Sequence, residues 1–574
     1  MAEHISFSKA EQLKNASHYL RFPLVEEMAQ DTTHLSEAAA QILKFHGSYQ
    51  QDDRDQRKAL VAAGKEPHYS CMIRIKIPGG DLTAEQYLTV ETLADQYANG
   101  TLRITTRQNI QLHCILKKNL KATLHEVNEC LLTTLAGCGD VERNVLACPA
   151  PSVDEGHTQV QAAAHALAVA LCPKTRAYHE IWMDGEQVAP LEPGAEEEPL
   201  YGKTYLPRKF KTAIAFPGDN CVDVLTNDIA IIAVLSPEGR HEGFNICVGG
   251  GMGMNHADPK TYPRLATPMG FVPPEEGVAV VEAIVKTQRD HGDRKNRKHA
   301  RMKYLVEERG IDWFRQQVEE RWGHPVVPVR PVPPFTVQSH LGWHSQGNGR
   351  DFLGVFVENG RVKDEGDFRL KMALRQVIQT YRPGLRLTPR QDILLTNLNP
   401  SHRGPIEELF HRHGVALPDE LPRLRLNALA CPALPTCGLA ITEAERAFPQ
   451  LIRGIEDELN RLGLGHEEFS VRMTGCPNGC TRPAMGELAF IGRTLGAGGR
   501  PGTYNVYLGG NASLTRLNQL YMERVPYEDL IKTVVPLLER FKQERQPGEG
   551  FGDFCYRLGM EELKQRGDSD RLVR

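Results

Sequence analysis

The segment Leu102–Leu112 reads LRITTRQNIQL, and Leu385–Leu395, 283 residues later, reads LRLTPRQDILL. The two segments agree at seven of eleven positions. At the same offset, Asn144–Ala150 (NVLACPA) matches Asn427–Ala433 (NALACPA) at six of seven positions. Agreement at a fixed separation is the signature of an internal repeat. The chain is therefore predicted to contain two homologous halves, which are expected to bury a ligand at the seam between them.

A third pair of segments, Phe244–Gly250 and Tyr504–Gly510, keeps the same order at an offset of about 260. Short β-branched runs alternate with stretches of helical periodicity, which predicts a mixed α/β fold. The expected strands are Met72–Ile77, Leu102–Ile104, Ala213–Phe216, Ile229–Val234, Phe352–Val357 and Tyr504–Leu508. The expected helices are Leu305–Trp322 and Thr442–Leu462. A capping box of Thr442 and Glu445 is expected to open the second helix.

Length and charge exclude several classes of protein. A chain of 574 residues is long enough for two or three hydrophobic cores. Lys and Arg total 68 against 72 Asp and Glu, which excludes the basic surface of a general nucleic-acid or membrane binder. The sequence shows no secretory signal and no apolar run long enough to span a bilayer, so a cytoplasmic protein with thirteen reduced cysteines is expected.

Four cysteines form two local pairs, Cys431-x5-Cys437 and Cys476-x3-Cys480, each beside a proline. Turns of this kind leave backbone N–H groups free to face sulfur, as an iron–sulfur cluster requires. Structural zinc and idle buried thiols are alternatives that the spacing leaves open. Cys148 occupies the repeat position of Cys431 without a local partner, so we expect it to be a buried hydrophobic residue.

Basic residues recur within segments that would otherwise be expected to bury apolar side chains. An unpaired buried cation costs several kcal/mol, so these residues require an anionic partner unless their strands are all exposed edges. The residues are Arg74, Arg103, Arg107, Arg143, Arg208, Lys209, Lys211, Arg386, Arg390 and Arg472.

Eight motifs together give the chain a resemblance to a known family. They are HGSYQQDDRD from His46, TTRQNIQLH, RNVLACP, YLPRKFKT, NICVGGG, ACPALPTC, TGCPNGC and GEGFGDF. The chain resembles the siroheme and iron–sulfur sulfite and nitrite reductases over nearly its whole length. The resemblance implies a three-domain α/β fold built from a duplicated module with an internal pseudo-twofold repeat.

The proline-rich segment Gly323–Phe335 is expected to be an extended linker between the halves. With the family fold, it suggests four divisions of the chain. They are an N-terminal arm (1–70), a ferredoxin-like duplicated domain (71–137 and 335–416), a first-repeat domain that binds siroheme and substrate (138–334), and a second-repeat domain that binds the iron–sulfur cluster and siroheme (417–574).

The resemblance implies two cofactors, a [4Fe–4S] cluster and siroheme. The cluster would be held by Cys431, Cys437, Cys476 and Cys480, with the sulfur of Cys480 also the axial ligand of the siroheme iron. The eight carboxylates of siroheme require Arg, Lys and backbone donors. By motif, the siroheme contacts would be Arg103, Thr105, Arg107, Gln111, Arg143, Arg208, Gly249, Gly250, Gly251 and Asn478, with the glycines letting backbone amides approach.

The family places four basic residues on the open face of the iron, and they correspond here to Arg74, Arg143, Lys209 and Lys211. The two lysines alternate by two, so on a strand they share one side. They are expected to bind sulfite and relay protons, whereas the arginines mainly hold the anion. The implied reaction is the six-electron reduction of sulfite to sulfide, with nitrite to ammonia as the alternative. Lys211 favours sulfite, because nitrite-reducing relatives commonly have asparagine there.

The motif GGGMG lacks the spacing of a dinucleotide-binding site, so a partner is expected to deliver the electrons. The resemblance suggests an NADPH-dependent flavoprotein subunit or a ferredoxin, and the absence of a transit segment favours the flavoprotein. Two other classes stay open, a zinc-stabilised scaffold and an electron carrier without turnover. The first would be colourless, and the second would form no sulfide from sulfite.

Overall fold

The structure is a computed structural model that describes residues 7–174, 182–183, 186–187, 198–496 and 501–571. Within these residues the chain forms four five-stranded sheets surrounded by helices, so the predicted mixed α/β fold is confirmed. The strands are β1 Ser48–Asp52, β2 Tyr69–Ile75, β3 Asp81–Leu82, β4 Leu102–Ile104, β5 Ile110–Ile115, β6 Leu146–Ala147, β7 Trp182–Met183, β8 Glu186–Gln187, β9 Thr212–Ala215, β10 Ile229–Leu235, β11 His241–Val248, β12 Thr267–Val272, β13 Gly342–Ser345, β14 Asp351–Val355, β15 Arg361–Val362, β16 Asp364–Glu365, β17 Phe368–Arg369, β18 Gly384–Leu387, β19 Ile393–Leu398, β20 Ala428–Ala430, β21 Val471–Thr474, β22 Leu488–Thr494, β23 Thr503–Leu508 and β24 Gln519–Pro526.

The helices lie between the strands and on the outer faces of the sheets. They are α1 Lys9–Ala16, α2 Leu24–Met28, α3 Glu37–Leu43, α4 Arg54–Ala62, α5 Ala84–Tyr97, α6 Leu120–Glu129, α7 Glu155–Ala170, α8 Gly277–His291, α9 Met302–Arg309, α10 Ile311–Trp322, α11 Leu370–Tyr381, α12 Arg403–Arg412, α13 Arg423–Leu426, α14 Phe448–Arg461, α15 Leu530–Glu544, α16 Phe551–Leu558 and α17 Met560–Arg571. None of the helices in the described ranges is both long and apolar enough to cross a bilayer.

Two of the sheets have matching topology and exchange an edge strand. The first has the order β1-β2-β5-β4-β15, and the second has the order β13-β14-β19-β18-β3. Strand β15 comes from the second half of the chain, where it pairs with β4 of the first half, and β3 of the first half pairs with β18 of the second. The repeat segment Leu102–Leu112 forms β4 and the start of β5, and Leu385–Leu395 forms β18 and the start of β19. The two segments therefore occupy equivalent places in the two sheets.

The other two sheets also share one topology. We call β12-β11-β10-β9-β6 the first-repeat sheet and β20-β21-β22-β23-β24 the second-repeat sheet. In both, three parallel strands are followed by two antiparallel strands. The register pairs Ile229 with Thr212 in one sheet and Leu488 with Val471 in the other, a constant separation of 259 residues. The predicted duplication is therefore confirmed in three dimensions.

Apolar side chains form two large cores that follow this division. One core runs without a break from Leu20 to Leu417 and joins the strand-exchanged sheets to the first-repeat sheet. The other runs from Leu424 to Leu563 beneath the second-repeat sheet. The proline-rich linker lies mostly exposed and outside every sheet, with an isolated bridge at Val327, as its composition predicts.

Two of the predicted helices begin or continue differently from expectation. The stretch expected to be one helix from Leu305 to Trp322 is two helices, α9 and α10, because Gly310 between them has a φ of 83°. The capping box predicted at Thr442 and Glu445 is wrong, since α14 begins only at Phe448. Glu445 instead binds Arg103 and Arg361, as described below.

Candidate functional site

The four paired cysteines lie in loops that follow two neighbouring parallel strands. Cys431 and Cys437 follow β20, while Cys476 and Cys480 follow β21. Because β20 and β21 are parallel, their carboxyl ends meet at one edge of the second-repeat sheet. The predicted convergence of the two pairs follows from this topology.

The four thiols interact electrostatically with one another. Burial, together with Cys480 and Cys476, raises the pKa of Cys431 well above its usual value. Burial and Cys480 also raise the pKa of Cys476 to about 12. Burial and Cys480 act in the same direction on the pKa of Cys437. Cysteine binds metal as the thiolate, so a metal bound here would displace the protons of these three buried thiols.

The four cysteines all lie in the described residues and all are free thiols. A [4Fe–4S] cubane bonds one thiolate to each of its four irons, so four thiols from two neighbouring loops can hold it. Four thiolates are also a ligand set of structural zinc, so the thiols by themselves are compatible with either metal.

N–H groups also face the sulfurs. The backbone N–H of Gly475 donates to Sγ of Cys431 at 3.3 Å, and the Asn478 amide donates to Sγ of Cys476 at 3.4 Å. A Cβ on Gly475 would lie 2.7 Å from Cβ of Ala433, so this close approach requires glycine. Hydrogen bonds of this kind stabilise cluster sulfurs, and the donor set fits a [4Fe–4S] group.

Cys480 differs from the other three thiols because its side chain is exposed. Lys209 and Lys211, which immediately precede β9, lie close enough to Cys480 to interact with it electrostatically. Burial, with Arg208 and Arg301 nearby, lowers the pKa of Lys209 to about 7. Burial and Lys209 lower the pKa of Lys211 well below its usual value.

The two lysine ammonium groups have no hydrogen-bond acceptor and no ion-pair partner among the residues that the structure describes. Burial and mutual repulsion disfavour the charged form of both lysines, and an anion bound beside them would restore it. They fit a site that takes an anion, and their surroundings fit an acidic macrocycle.

Arg74 and Arg143 are held in fixed orientations near the same region. With its amide oxygen turned toward the guanidinium, Gln111 accepts from Nη2 of Arg74 at 2.6 Å. Arg74 also donates to Sγ of Cys138 at 2.8 Å. Nε and Nη2 of Arg143 donate to the carbonyl of Gly139 at 3.0 and 2.8 Å. Both guanidinium groups are thus pre-oriented, as residues that position an anion need to be.

Two of the other predicted siroheme contacts, Arg107 and Arg208, have N–H donors that the protein does not fully use. Arg107 donates to Oδ1 of Asn227 at 2.8 Å and to the carbonyl of Asn144 at 2.5 Å, but its buried Nε has no partner in the described part of the chain. Burial lowers the pKa of Arg107 to about 9. Arg208 lies 4.0 Å from Asp140 and keeps part of its side chain exposed. These two arginines can still bind an added carboxylate.

Other predicted contacts are already occupied by the protein. The two Nη groups of Arg103 donate to Glu445 at 2.6 Å and to the carbonyl of Ala430 at 2.9 Å, although its buried Nε, like that of Arg107, has no partner in the described part of the chain. The hydroxyl of Thr105 accepts the N–H of Arg107 at 3.2 Å. The N–H groups of the glycine triplet donate to other backbone carbonyls. The three bonds are Gly249 to Asp228 at 2.9 Å, Gly250 to Asn227 at 3.0 Å and Gly251 to Arg264 at 2.8 Å.

Several of the buried basic residues find the anionic partner that they need, or another acceptor, within the protein. Asp223 accepts from Arg472 at 2.6 Å and also binds Arg482, and all three side chains are buried. Burial would raise the pKa of Asp223, but the two arginines hold it at about 2. Protein acceptors also serve Arg386, which donates to the carbonyl of Ala150, and Arg390, which donates to Asn427.

Sequence reasoning missed two basic residues beside this region, Arg301 and Lys303. Arg301 forms a buried ion pair with Asp228 at 2.7 Å, and Lys303 donates to the carbonyl of Gly253 at 2.8 Å. They come from the start of α9, whose counterpart in the second repeat is α16, a helix that is also eight residues long and also ends at a glycine of positive φ. Their signal in the sequence is the basic run that precedes this helix.

Cys148 is buried as predicted, but the expectation that it lacks a companion is wrong. Cys221, Asp219 and His340 approach it from other loops. Local spacing could not reveal this group, because its members are distant in the sequence. The 259-residue separation could have done so, since it places Cys221 in register with Cys480.

Two family models match the chain over most of its length. The model described as "Nitrite and sulphite reductase 4Fe-4S domain" matches residues 162–326 and 424–571, and that described as "Nitrite/Sulfite reductase ferredoxin-like half domain" matches residues 63–130 and 344–413. The paired matches follow the duplication seen in the sheets.

Individual relatives agree with these matches. The chain is 46% identical to a sulfite reductase (ferredoxin) of Synechococcus elongatus, covering 98% of this chain and 91% of the relative. It is 45% identical to the sulfite reductase (NADPH) hemoprotein beta-component of Staphylococcus saprophyticus, covering 97% of each. The structure of the NirA protein of Mycobacterium tuberculosis matches with a TM-score of 0.80 over 98% of both chains at 24% identity, a likeness of fold. The chain therefore belongs to the nitrite and sulphite reductase family.

Proposed function

We propose that this protein is the siroheme- and [4Fe–4S]-containing sulfite reductase that reduces sulfite to sulfide in cysteine biosynthesis. The observation that carries the proposal is the exposed thiol of Cys480, which joins a four-cysteine group to a region with two unpaired lysines. Relatives over nearly the full length are named as sulfite reductases.

Reduction of hydrogensulfite to hydrosulfide consumes six electrons and six protons and releases three water molecules. When bound, siroheme and the cluster supply the electrons and the binding position for sulfur. The protein's own residues must bind the oxygens and deliver protons. Nζ of Lys209 is suited to proton delivery, because an ammonium group can give up a proton at neutral pH far more readily than a guanidinium can.

The other basic residues have complementary roles in this proposal. Lys211 binds the anion beside Lys209, since two adjacent ammonium groups attract the negative charge that each repels in the other. Arg74 and Arg143 keep their charge throughout and fix the orientation of the oxygens. Their bonds to Gln111 and Gly139 prevent them from following the oxygens as these leave.

We propose that the siroheme carboxylates bind mainly at Arg107 and Arg208, whose donors are not fully used by the protein. Gln111 orients Arg74, and Asn478 donates to Cys476. Arg103, whose Nε is also unused, would bind a carboxylate with Arg107 and Arg208. The Thr105 hydroxyl would hold the backbone of Arg107 in place. The glycine triplet, with its N–H groups already bonded, would contribute space. The four divisions predicted for the chain stay a proposal alongside these roles.

The electron donor proposed is an NADPH-dependent flavoprotein subunit, with ferredoxin as the alternative. Relatives named as hemoprotein beta-components favour the flavoprotein, whereas the relative from Synechococcus elongatus favours ferredoxin. A cytoplasmic location is proposed with it, because thiols that hold a cluster suit a reducing compartment. Stopped-flow reduction by each purified donor distinguishes the two, since the physiological donor is expected to reduce the protein much faster.

The central test is a visible spectrum and an activity assay on the purified protein. We expect strong siroheme absorption and sulfide formation from sulfite with reduced methyl viologen. Nitrite, assayed beside it, is expected to be the poorer substrate by kcat/KM. A colourless protein with zinc in place of iron would support a scaffold, and colour without turnover would support an electron carrier.

A further inference from the structure

A second group of potential metal ligands lies in the first half of the chain. Cys148 follows β6, Asp219 and Cys221 follow β9, and His340 precedes β13. One ligand atom from each residue lies within 4.8 Å of those of the other three. The two cysteines and the aspartate are buried, at 1%, 2% and 4% exposure.

The carboxylate of Asp219 connects the other members of this group. Oδ1 of Asp219 accepts the backbone N–H groups of Cys221 at 3.0 Å and Gln338 at 3.1 Å, which fixes the carboxylate. Its other oxygen lies 3.5 Å from Sγ of Cys148 and 3.5 Å from Nε2 of His340. That Nε2 atom is buried and makes no hydrogen bond to any described residue.

We propose that Cys148, Cys221, Asp219 and His340 hold a zinc ion. Two thiolates, an imidazole and a carboxylate are ligands that zinc takes in tetrahedral sites. Ligand atoms in such a site lie roughly 3.5 Å apart, which is the separation already seen for both contacts of the second Asp219 oxygen. Zinc would also give a direct bond to the buried imidazole nitrogen, whose contact with Asp219 is long at 3.5 Å and is not a hydrogen bond.

The position of this group in the repeat supports a metal site. Cys148 corresponds to Cys431 at the 283-residue offset, and Cys221 corresponds to Cys480 at the 259-residue separation fixed by the sheets. The first-repeat sheet thus carries the counterpart of the cluster site. It offers two thiols where the second-repeat sheet offers four, so a single ion replaces the cubane.

The proposed zinc ion would hold the segment that follows the proline-rich linker against the first-repeat sheet. Thr336 donates its N–H to the carbonyl of Gly218 at 2.8 Å, and the N–H of Asn220 donates to the carbonyl of Thr336 at 2.8 Å. His340 follows on the same segment, just before the chain enters β13. Zinc is therefore expected to stabilise the junction between the halves and to take no part in electron transfer.

The first test measures metal in the wild-type holoenzyme. We expect about one zinc per chain, and an X-ray absorption spectrum at the zinc edge with two sulfur ligands at ~2.3 Å and two nitrogen or oxygen ligands at ~2.0 Å. Zinc bound only by nitrogen and oxygen would overturn the proposal. Absence of zinc from protein grown with ample zinc, or a Cys148–Cys221 disulfide detected by mass spectrometry, would overturn it equally.

The second test removes ligands singly. Cys221→Ser and His340→Ala are each expected to lower bound zinc at least fivefold, while iron content and the siroheme spectrum stay unchanged. The controls Cys114→Ser and His125→Ala lie at exposed positions and should retain zinc. If the variants lose zinc and iron together, the wild-type absorption spectrum decides. If zinc survives both changes, the assignment is wrong.

Discussion

The first-repeat and second-repeat sheets share strand order, direction and register, yet only the second carries the four-cysteine group. Even local backbone detail is shared: Asp223 and Arg482, in register, have φ values of 47° and 54°. The buried pattern of the strands therefore determines the sheet, while the loops at its carboxyl edge determine the chemistry. A duplicated fold can keep its architecture while one copy alone retains the thiols for a cluster.

The two sheets also differ in how they treat an equivalent carboxylate. Asp228 of the first-repeat sheet is paired with Arg301 at 2.7 Å. Its counterpart, Glu487, accepts only from neutral groups, including the N–H groups of Ser470 at 2.8 Å and Gly552 at 3.3 Å.

Replacing one of the four cluster cysteines is expected to have the largest effect of any single change. Cys431→Ser is expected to lose the cluster iron, the siroheme colour and all detectable sulfite reduction, because serine does not replace a thiolate at iron. Iron analysis and the visible spectrum measure the loss. Cys114→Ser, at an exposed position, is the matched control and should keep both. Full iron in the Cys431→Ser protein would refute the assignment.

Breaking the ion pairs between the two repeats is expected to have the next largest effect, a loss in the free energy of unfolding. Asp223→Asn leaves Arg472 and Arg482 buried without a counter-charge, a change that costs about 3–5 kcal/mol. Urea denaturation followed by tryptophan fluorescence measures it. Asp529→Asn removes an exposed pair with Lys532 and should cost less than about 1 kcal/mol. Equal effects of the two changes would contradict the role of Asp223.

Removing either unpaired lysine should impair turnover without disturbing the cofactors. Lys209→Met and Lys211→Met are each expected to lower kcat for sulfite by roughly 100-fold, the usual scale of a lost proton donor. Iron content and spectra should match the wild type. Lys203→Met, on an exposed residue of the same segment, is the control. Activity that survives both changes would exclude proton delivery from this pair.

Replacing Glu487, whose carboxylate accepts only from neutral groups, should have the smallest effect, a pH-dependent change in stability. Burial raises the pKa of Glu487 to about 7, above its unfolded value of about 4.3. Its contribution to stability is therefore complete below about pH 4.3 and is lost as pH rises through 7. Between pH 5.5 and 8, the free energy of unfolding of Glu487→Gln is expected to rise by about 1–2 kcal/mol relative to that of the wild type.

Melting temperatures at successive pH values measure this change. Glu468→Gln, at a largely exposed site, is the control and should parallel the wild type. A Glu487→Gln curve that also parallels the wild type would mean that the carboxyl is ionised throughout.

Much of the fold and of the cluster site could be predicted because both depend on local patterns. The 283-residue repeat gave the duplicated sheets, and two short cysteine spacings gave the four thiols. The strands β3 and β15 were missed, since two residues carry no periodicity. Glu445 was assigned to a helix cap, because its actual partners, Arg103 and Arg361, are distant in the sequence. Only the fold brings such residues together.

The exchange of β3 and β15 has a consequence for any attempt to separate the halves. A cut within Gly323–Phe335 would leave each fragment without the final strand of its own sheet, and with an open edge of unsatisfied amides and carbonyls. Neither fragment is expected to remain monomeric by itself. Produced in the same cell, the two should interlock and be purified as one particle.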